Sequence, residues 1–579
     1  MKDQFPSTTK VLYSDHLPIE DNKINLAGFL QRFQKVALIQ NPLKTHFALI
    51  FLILFSFFLV FTGLDDTVLQ LDEGADTFVS TTILKYGYPK HTDGTHYTMP
   101  YADIFDGIFV YRTWVPYYLQ SASLLLFGQS TFSARLPFAI LGIFSVWSLY
   151  SFTLRWTHRK TIAFLASLLL VTSVPALLYF RTARYIAIPI LLTPLLLRFY
   201  ITIFDKAKWN PIPLTLVSII YFHSMYVEFA GVIMGMLIHL YIYRSRVTNS
   251  NLAKVKWSAV ITAVFCLPWL AIIPALMSKL SEFYTTASPA VDTSLWRFPK
   301  HFFAFLFQIN NYVFPFILAP IFCMSILKQH RFQVSLLLLC SLSVLITASL
   351  HSIPLMQYIS GCIPLLFVLL AMVVFYIFEK SVARQSALLL VLIVTNLIHV
   401  GPLLPVKQIA MRYPEKFAVS NYSQYAYETF LREVNLKSVF YLYWQELSHR
   451  YQGPLDKLVS YFETHAKKGE TCYIDSEFES LTFHTGMKMI PNQDLNRQHP
   501  PDWIVLRGID RLFEGPENLS SEARRVKEVL QANVYIRTEL NAPAIQANNT
   551  YDIQIHQFRS PVSSDKVSVY QLANKKEIL

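Results

Sequence analysis

From Phe47 to Pro405 the chain is a succession of apolar stretches separated by short polar loops. Many are about 18–25 residues long, and roughly 20 apolar residues in a helix cross a bilayer. The stretches fall near 47–62, 134–153, 162–180, 186–204, 212–224, 228–243, 257–276, 302–327, 333–350, 354–378 and 385–404, which predicts about eleven spans. Ahead of them, Ile24, Leu26, Leu30, Phe33, Val36 and Ala37 alternate with Lys23, Arg32 and Lys35, the pattern of an interfacial helix over 23–44. The loop 63–133 is long and acidic, and its end, WVPYYLQSASLLLFG (114–128), predicts a helix lying in the interface. After 405 the pattern becomes that of a small α/β domain. It predicts an amphipathic helix over 455–467, a strand at TCYID (471–475), a helical SLTFHTG and a strand at DWIVLRG (502–508). A charged helix over 520–532 and strands at 533–540 and 551–558 complete it. The expected fold is therefore a polytopic α-helical membrane protein with a C-terminal α/β domain. Its parts are a segment 1–46, a transmembrane domain 47–404 and an outer domain 405–579.

Composition agrees. Of 579 residues, 53% are hydrophobic and 15% charged, against about 25% charged in soluble proteins. The mean hydropathy is +0.35. A single soluble enzyme, a disordered chain and a disulfide scaffold are excluded. The net charge of +12 resides largely in short loops, at Arg155, Arg159 and Lys160, then Arg244 and Arg246, Lys328 and Arg331, Lys380 and Arg384. Cations there mark the cytoplasmic side, so the charge is read as topology and not as nucleic-acid affinity. The N-terminus is then cytoplasmic, and everything after Pro405 lies outside. Cys472 stands alone in the C-terminal region, and no Cys/His spacing suggests zinc. Residues 1–46 lack the pattern of a signal peptide.

The sharpest local chemistry is the acidic pair Asp72 and Glu73, directly after the first span. On the same face stand Arg112, Arg135, Arg181 and Arg184, cations that the positive-inside rule does not require. Guanidiniums at span ends either snorkel to lipid phosphates or clamp a bound phosphate in a bidentate way. A carboxylate base beside a phosphate clamp describes transfer of a group off a lipid phosphate. His223 and Glu228, inside apolar stretches, are read as helix-packing residues.

Three strings carry a resemblance: LDEGADTFVSTTILKYGYPKHTDGTHY (71–97), YRTWVPYYLQSASLLLFGQSTFSARLPFAILG (111–142) and RTARYIAIPILL (181–192). They resemble the GT-C class of integral-membrane glycosyltransferases, in particular the family 39-like group of protein O-mannosyltransferases and lipid A aminoarabinose transferases. The resemblance spans about 64–200 and returns weakly in HRYQGPLDKLVSYFETHAKKGE, FHTG and PDWIVLRG. It departs from the group in TWVP, where many relatives have two consecutive prolines. What it implies is an inverting transfer of a sugar from a polyprenyl-phosphate donor to an acceptor glycan, lipid or protein, on the outer face of a bacterial inner membrane. Asp72 is implied as general base and Glu73 as the acid that orients acceptor or loop. Arg112, Arg135, Arg184 and Tyr185 are implied as donor-phosphate residues, with no metal or other cofactor. A transporter or flippase of a lipid-linked sugar, and a non-catalytic glycolipid-binding protein, are the readings from other classes.

Overall fold

The computed structural model describes residues 42–573 except 71, 206–208, 288–295, 322–325, 352, 380, 419–420, 450–452, 468, 507–520, 542–549, 557 and 559–565. The interfacial helix expected over 23–44 lies almost wholly outside these residues. Each of the eleven expected apolar stretches contains helix, but they are not eleven uniform spans. Among the described residues, four helices can cross a bilayer by length and composition: Thr131–Thr157, Ala187–Phe204, Asn249–Leu280 and Arg331–Ala348. Two further pairs qualify if each bent pair is one span, Lys160–Val171 with Val174–Phe180 (65°) and Val382–Val394 with Leu397–Arg412 (81°). Phe47–Phe61, Ile212–Phe222, Tyr226–Ile242 and Cys362–Ile377 are apolar but shorter. The first bend has a local cause, since Pro175 can open a new helix but cannot continue the previous one.

Helix Cys362–Ile377 is apolar on every side and buried continuously from Cys362 to Val374, as a helix enclosed by others must be. It packs on Lys160–Val171 and Ala187–Tyr200 at the centre of the bundle. Asn249–Leu280, by contrast, keeps most of its apolar surface exposed, as suits a lipid-facing helix. Tyr226–Ile242 meets Arg331–Ala348 through Gly231 and Gly235, where a Cβ would stand 2.6 Å from the Val344 Cα and 2.5 Å from the Cys340 Cα. Small residues four apart allow this backbone approach.

Glu228 and His223 belong to this packing. The Glu228 carboxylate accepts hydrogen bonds from the Ser360 N–H (3.0 Å), the Ser360 hydroxyl (2.9 Å) and the Gly361 N–H (2.7 Å). These donors open the central helix, whose first N–H groups have no partner within the helix. Glu228→Ala leaves several buried donors without an acceptor, each costing about 1–3 kcal/mol. It should therefore lower the unfolding temperature in detergent by several degrees, whereas Glu228→Gln, which keeps an acceptor oxygen, should lose less. Equal unfolding of all three proteins would remove the capping role. His223 is bonded to the Phe265 carbonyl at 3.1 Å.

The C-terminal sheet has the order β2-β1-β3-β5-β4, with β1 Thr471–Ile474, β2 Lys488–Met489, β3 Trp503–Leu506, β4 Tyr535–Asn541 and β5 Lys566–Leu572. β1 runs parallel to β2 and β3, while β5 is antiparallel to β3 and β4. Alternation sends Cys472, Ile474, Trp503 and Val505 to a core under helix Pro454–His465. Tyr473, Ile504 and Leu506 go to a second core under Ser521–Ala532. The strand expected over 551–558 is absent, and the described residues there form turns. Its alternation has another source, because Ile553 is buried in the main core of the helical bundle and Tyr551 packs against that core. The fifth strand is Lys566–Leu572 instead.

Candidate functional site

The acidic string after the first helix folds as helix Asp72–Tyr86, with both Asp72 and Glu73 in its first turn, where the helix dipole favours anions. Residues four apart share a helix face and neighbours one position apart do not. Asp72 and Asp76 therefore point one way and Glu73 another, and the expected acidic pair is separated by its own helix.

On the first face, the Asp72 carboxylate accepts from the Arg184 guanidinium at 2.8 Å and from the Tyr551 hydroxyl at 2.9 Å. Asp76 lies one turn deeper. It accepts from Arg184 Nε at 3.1 Å, from the Tyr117 hydroxyl at 3.0 Å and from Arg112. Arg184 also donates to Gln357 at 3.0 Å and contacts the Tyr551 hydroxyl. Tyr185 lies beneath both cations, its ring 5.5 Å from the Arg112 guanidinium and 5.2 Å from that of Arg184. The cluster thus holds two carboxylates against two guanidiniums. Access is unequal: the Asp72 side chain is 43% exposed and that of Asp76 3%. The Arg112 side chain is 19% exposed and that of Arg184 1%. Burial opposes ionisation of Asp72, but the Arg184 and Arg112 charges and the Tyr551 hydroxyl prevail and hold its carboxyl below the ordinary aspartate range. Asp72 is the accessible carboxylate of the group.

Glu73 and Arg135 form a separate unit. Arg135 Nε and Nη2 meet the two Glu73 carboxylate oxygens at 2.9 and 2.8 Å. Its remaining donors reach the carbonyls of Leu64 (2.9 Å), Thr67 (3.0 Å) and Val68 (3.3 Å). Glu73 also accepts the Ala183 N–H at 2.8 Å. This buried pair ties helix Asp72–Tyr86 to Thr131–Thr157 and to the turn that carries Arg184. It leaves Arg135 without a spare donor for a phosphate. Arg181 is similarly engaged, donating to the carbonyls of Val60 (2.8 Å), Thr62 (2.6 Å) and Gly63 (2.7 Å) at the end of the first helix. Two of the four cations expected at this face are therefore structural, and two meet the carboxylates.

The C-terminal domain closes over the same helix. Gly74 lies so near helix Phe478–Thr485 that a Cβ would stand 2.9 Å from the Ser480 Cβ. The Ser480 hydroxyl donates to the Leu69 carbonyl, and His484 Nε2 accepts the Leu69 N–H at 3.3 Å. Glu479 accepts from Thr98 at 2.7 Å. Burial pushes the Glu479 carboxyl up, and the nearby Asp72 charge adds to the effect. Asp76, Gln357, Tyr551 and Glu479 were not singled out from sequence. Asp76 carried a signal, the four-residue spacing from Asp72. Tyr551 carried none, being 479 positions away. Among the described residues, no three His, Cys, Asp or Glu side chains converge as a metal site.

No protein-family model matches the sequence, and none of the curated proteins does. Solved structures do match in shape. ArnT from Cupriavidus metallidurans bound to undecaprenyl phosphate superposes with a TM-score of 0.50 at 13% identity, over 76% of this chain and 85% of its own. The apo state of ArnT gives a TM-score of 0.48 at 14% identity, over 81% and 87%. An Archaeoglobus fulgidus oligosaccharyltransferase tethered with an acceptor peptide gives 0.41 at 13% identity, over 86% and 69%. The fold of this membrane-embedded chain is that of the GT-C glycosyltransferases.

Proposed function

From this fold and this cluster we propose that the protein is an inverting glycosyltransferase that moves a hexosyl or pentosyl group from a polyprenyl-phosphate donor to an acceptor at the outer face of the membrane. The observation that carries the reading is Asp72, an accessible carboxylate bonded to Arg184 and Tyr551 beside the more exposed Arg112. The acceptor's hydroxyl or amino group attacks the anomeric carbon. The bond from that carbon to the phosphate oxygen breaks, and the polyprenyl phosphate leaves with the electron pair. Asp72 polarises the acceptor and takes its proton as the new bond forms. Arg112, with Arg184 behind it and Tyr185 beneath, neutralises the charge that develops on the departing phosphate. The ArnT structure in the same fold is bound to undecaprenyl phosphate, which supports the donor class. Asp76 holds both guanidiniums in place. Glu73 and Arg135 position the helix that carries Asp72. In this reading residues 405–579 are an extracytoplasmic domain, with Tyr551 and Glu479 reaching into the site from it. The segment 1–46 and the loops at Arg155 and Arg159 lie on the cytoplasmic side.

The test is transfer of a labelled sugar from polyprenyl phosphate by the purified protein in proteoliposomes, with flipping of the same lipid followed in parallel. Flipping without covalent transfer would establish the transporter reading instead. The pH profile adds a sign. Asp72 must be ionised to act, and its carboxyl lies below the ordinary value of 3.8. The acid limb of kcat/KM, which reports the free enzyme, should therefore fall below pH 3.8, with no loss on the alkaline side from this group. An acid limb above that value would move the base role to Glu479, whose carboxyl is raised.

A further inference from the structure

We propose that a second cavity, at the end of the bundle opposite Asp72, binds a phosphate group. Helix Thr131–Thr157 carries Arg135 near its start, toward Asp72, and Arg155 in its last turn. Helix Ala187–Tyr200 begins just after Arg184 and carries Arg198 in its last turn. Eleven residue steps of that helix separate Ala187 from Arg198, about 16 Å at 1.5 Å per residue. At that far end lies a cavity of about 950 Å³ bordered by Arg155, Arg198 and Arg246, with Asp205, Trp147 and Phe332 among its walls. Ligand sites commonly have volumes of roughly 300–1,000 Å³.

The charges here are not balanced. Arg155 is paired with Asp205 at 2.7 Å. The Arg198 guanidinium lies over the Trp147 ring at 5.6 Å, and that of Arg246 over the Phe332 ring at 4.7 Å. Neither has a hydrogen-bond acceptor among the described residues. Topology alone accounts for cations at this end of a bundle, but such side chains ordinarily snorkel into water. Arg198 is half-buried and Arg246 exposed, and each lies over an aromatic face that lines the cavity. A guanidinium held over a ring by cation–π attraction keeps its N–H fork free, and such a fork meets phosphate oxygens in pairs. Excess positive charge lining a cavity also concentrates anions. The phosphate can belong to a lipid headgroup or to a soluble ester. A lipid can reach it, since the rim includes Leu49 and Trp147, and the helix of Leu49 exposes Phe47 and Ile50.

The experiment uses the full-length protein in phosphatidylcholine nanodiscs, with phosphatidic acid as the lipid probe and inorganic pyrophosphate as the soluble one. Native mass spectrometry counts retained phosphatidic acid, and thermal unfolding follows pyrophosphate. Wild type should favour at least one probe, and Arg198→Gln with Arg246→Gln should weaken it about tenfold or more, the loss expected for charge-assisted bonds. Preference for phosphatidic acid that pyrophosphate does not displace assigns the lipid source. Stabilisation by pyrophosphate without that preference assigns the soluble one. No response of wild type to either probe overturns the proposal. So does unchanged binding in a double variant that unfolds at the wild-type temperature in phosphatidylcholine alone. If the double variant does not fold, Arg198→Lys serves. It keeps the charge but loses the planar fork, and undiminished binding by it would overturn the bidentate site.

Discussion

Asp72→Asn is expected to reduce sugar transfer at least about 100-fold, the lower end of what a positioned general base contributes. The amide retains the shape of the side chain and an oxygen that can accept from Arg184 and Tyr551, but it cannot take a proton. Donor binding should persist, because Arg112, Arg184 and Tyr185 remain and Asp76 still holds both guanidiniums. The fold should also persist. Asp72 is the accessible carboxylate of the cluster, and the helix keeps its tie through Glu73 and Arg135. The measurement is initial transfer rate in purified wild type and variant, with binding of polyprenyl phosphate and unfolding temperature measured alongside. A flippase would show impaired lipid movement and no covalent product in either protein. Equal transfer rates would end the catalytic assignment of Asp72. Glu479 would then be the residue to replace, since Glu73 is fully engaged elsewhere.

How far the sequence reaches can be judged from these same residues. The apolar runs forecast the helices because burial in lipid or protein imposes composition directly. They did not forecast lengths, because hydropathy does not register the breaks at Ser173, where Pro175 opens a new helix, and at Thr395. In the C-terminal domain, β1 and β3 were legible as short runs buried on both faces. The stretch 551–558 misled because docking against the helical bundle can mimic strand alternation. At the site, Asp72, Arg112, Arg184 and Tyr185 were named from residue type, position and resemblance, and they stand together in the structure. Glu73 and Arg135 were named with them, yet one position along a helix turns a side chain by about 100°. That turn faces Glu73 toward a different arginine. Tyr551 and Gln357 are brought in by tertiary structure alone, and nothing local marks them.

The Glu73–Arg135 pair provides the second large expected effect. Arg135→Ala strands the Glu73 carboxylate, which is 5% exposed, and removes the donors that hold three carbonyls of the segment before helix Asp72–Tyr86. Breaking a buried ion pair from one side typically costs about 3–5 kcal/mol, a large share of the roughly 5–15 kcal/mol that holds a typical soluble domain together. The variant should accumulate poorly, unfold well below wild type and lose transfer together with fold. Glu73→Gln should be milder, because the amide oxygen can still accept from the guanidinium. A double replacement, Arg135→Met with Glu73→Leu, should recover part of the stability lost in Arg135→Ala, since no lone charge is then buried. A donor-phosphate role for Arg135 makes the opposite forecast: near-normal unfolding, selectively weakened binding of polyprenyl phosphate, and no recovery in the double variant. Unfolding temperature and lipid-phosphate affinity measured on the same preparations separate the two. A stable Arg135→Ala protein with impaired donor binding would return Arg135 to the donor site and require the Glu73 contact to open when the lipid arrives.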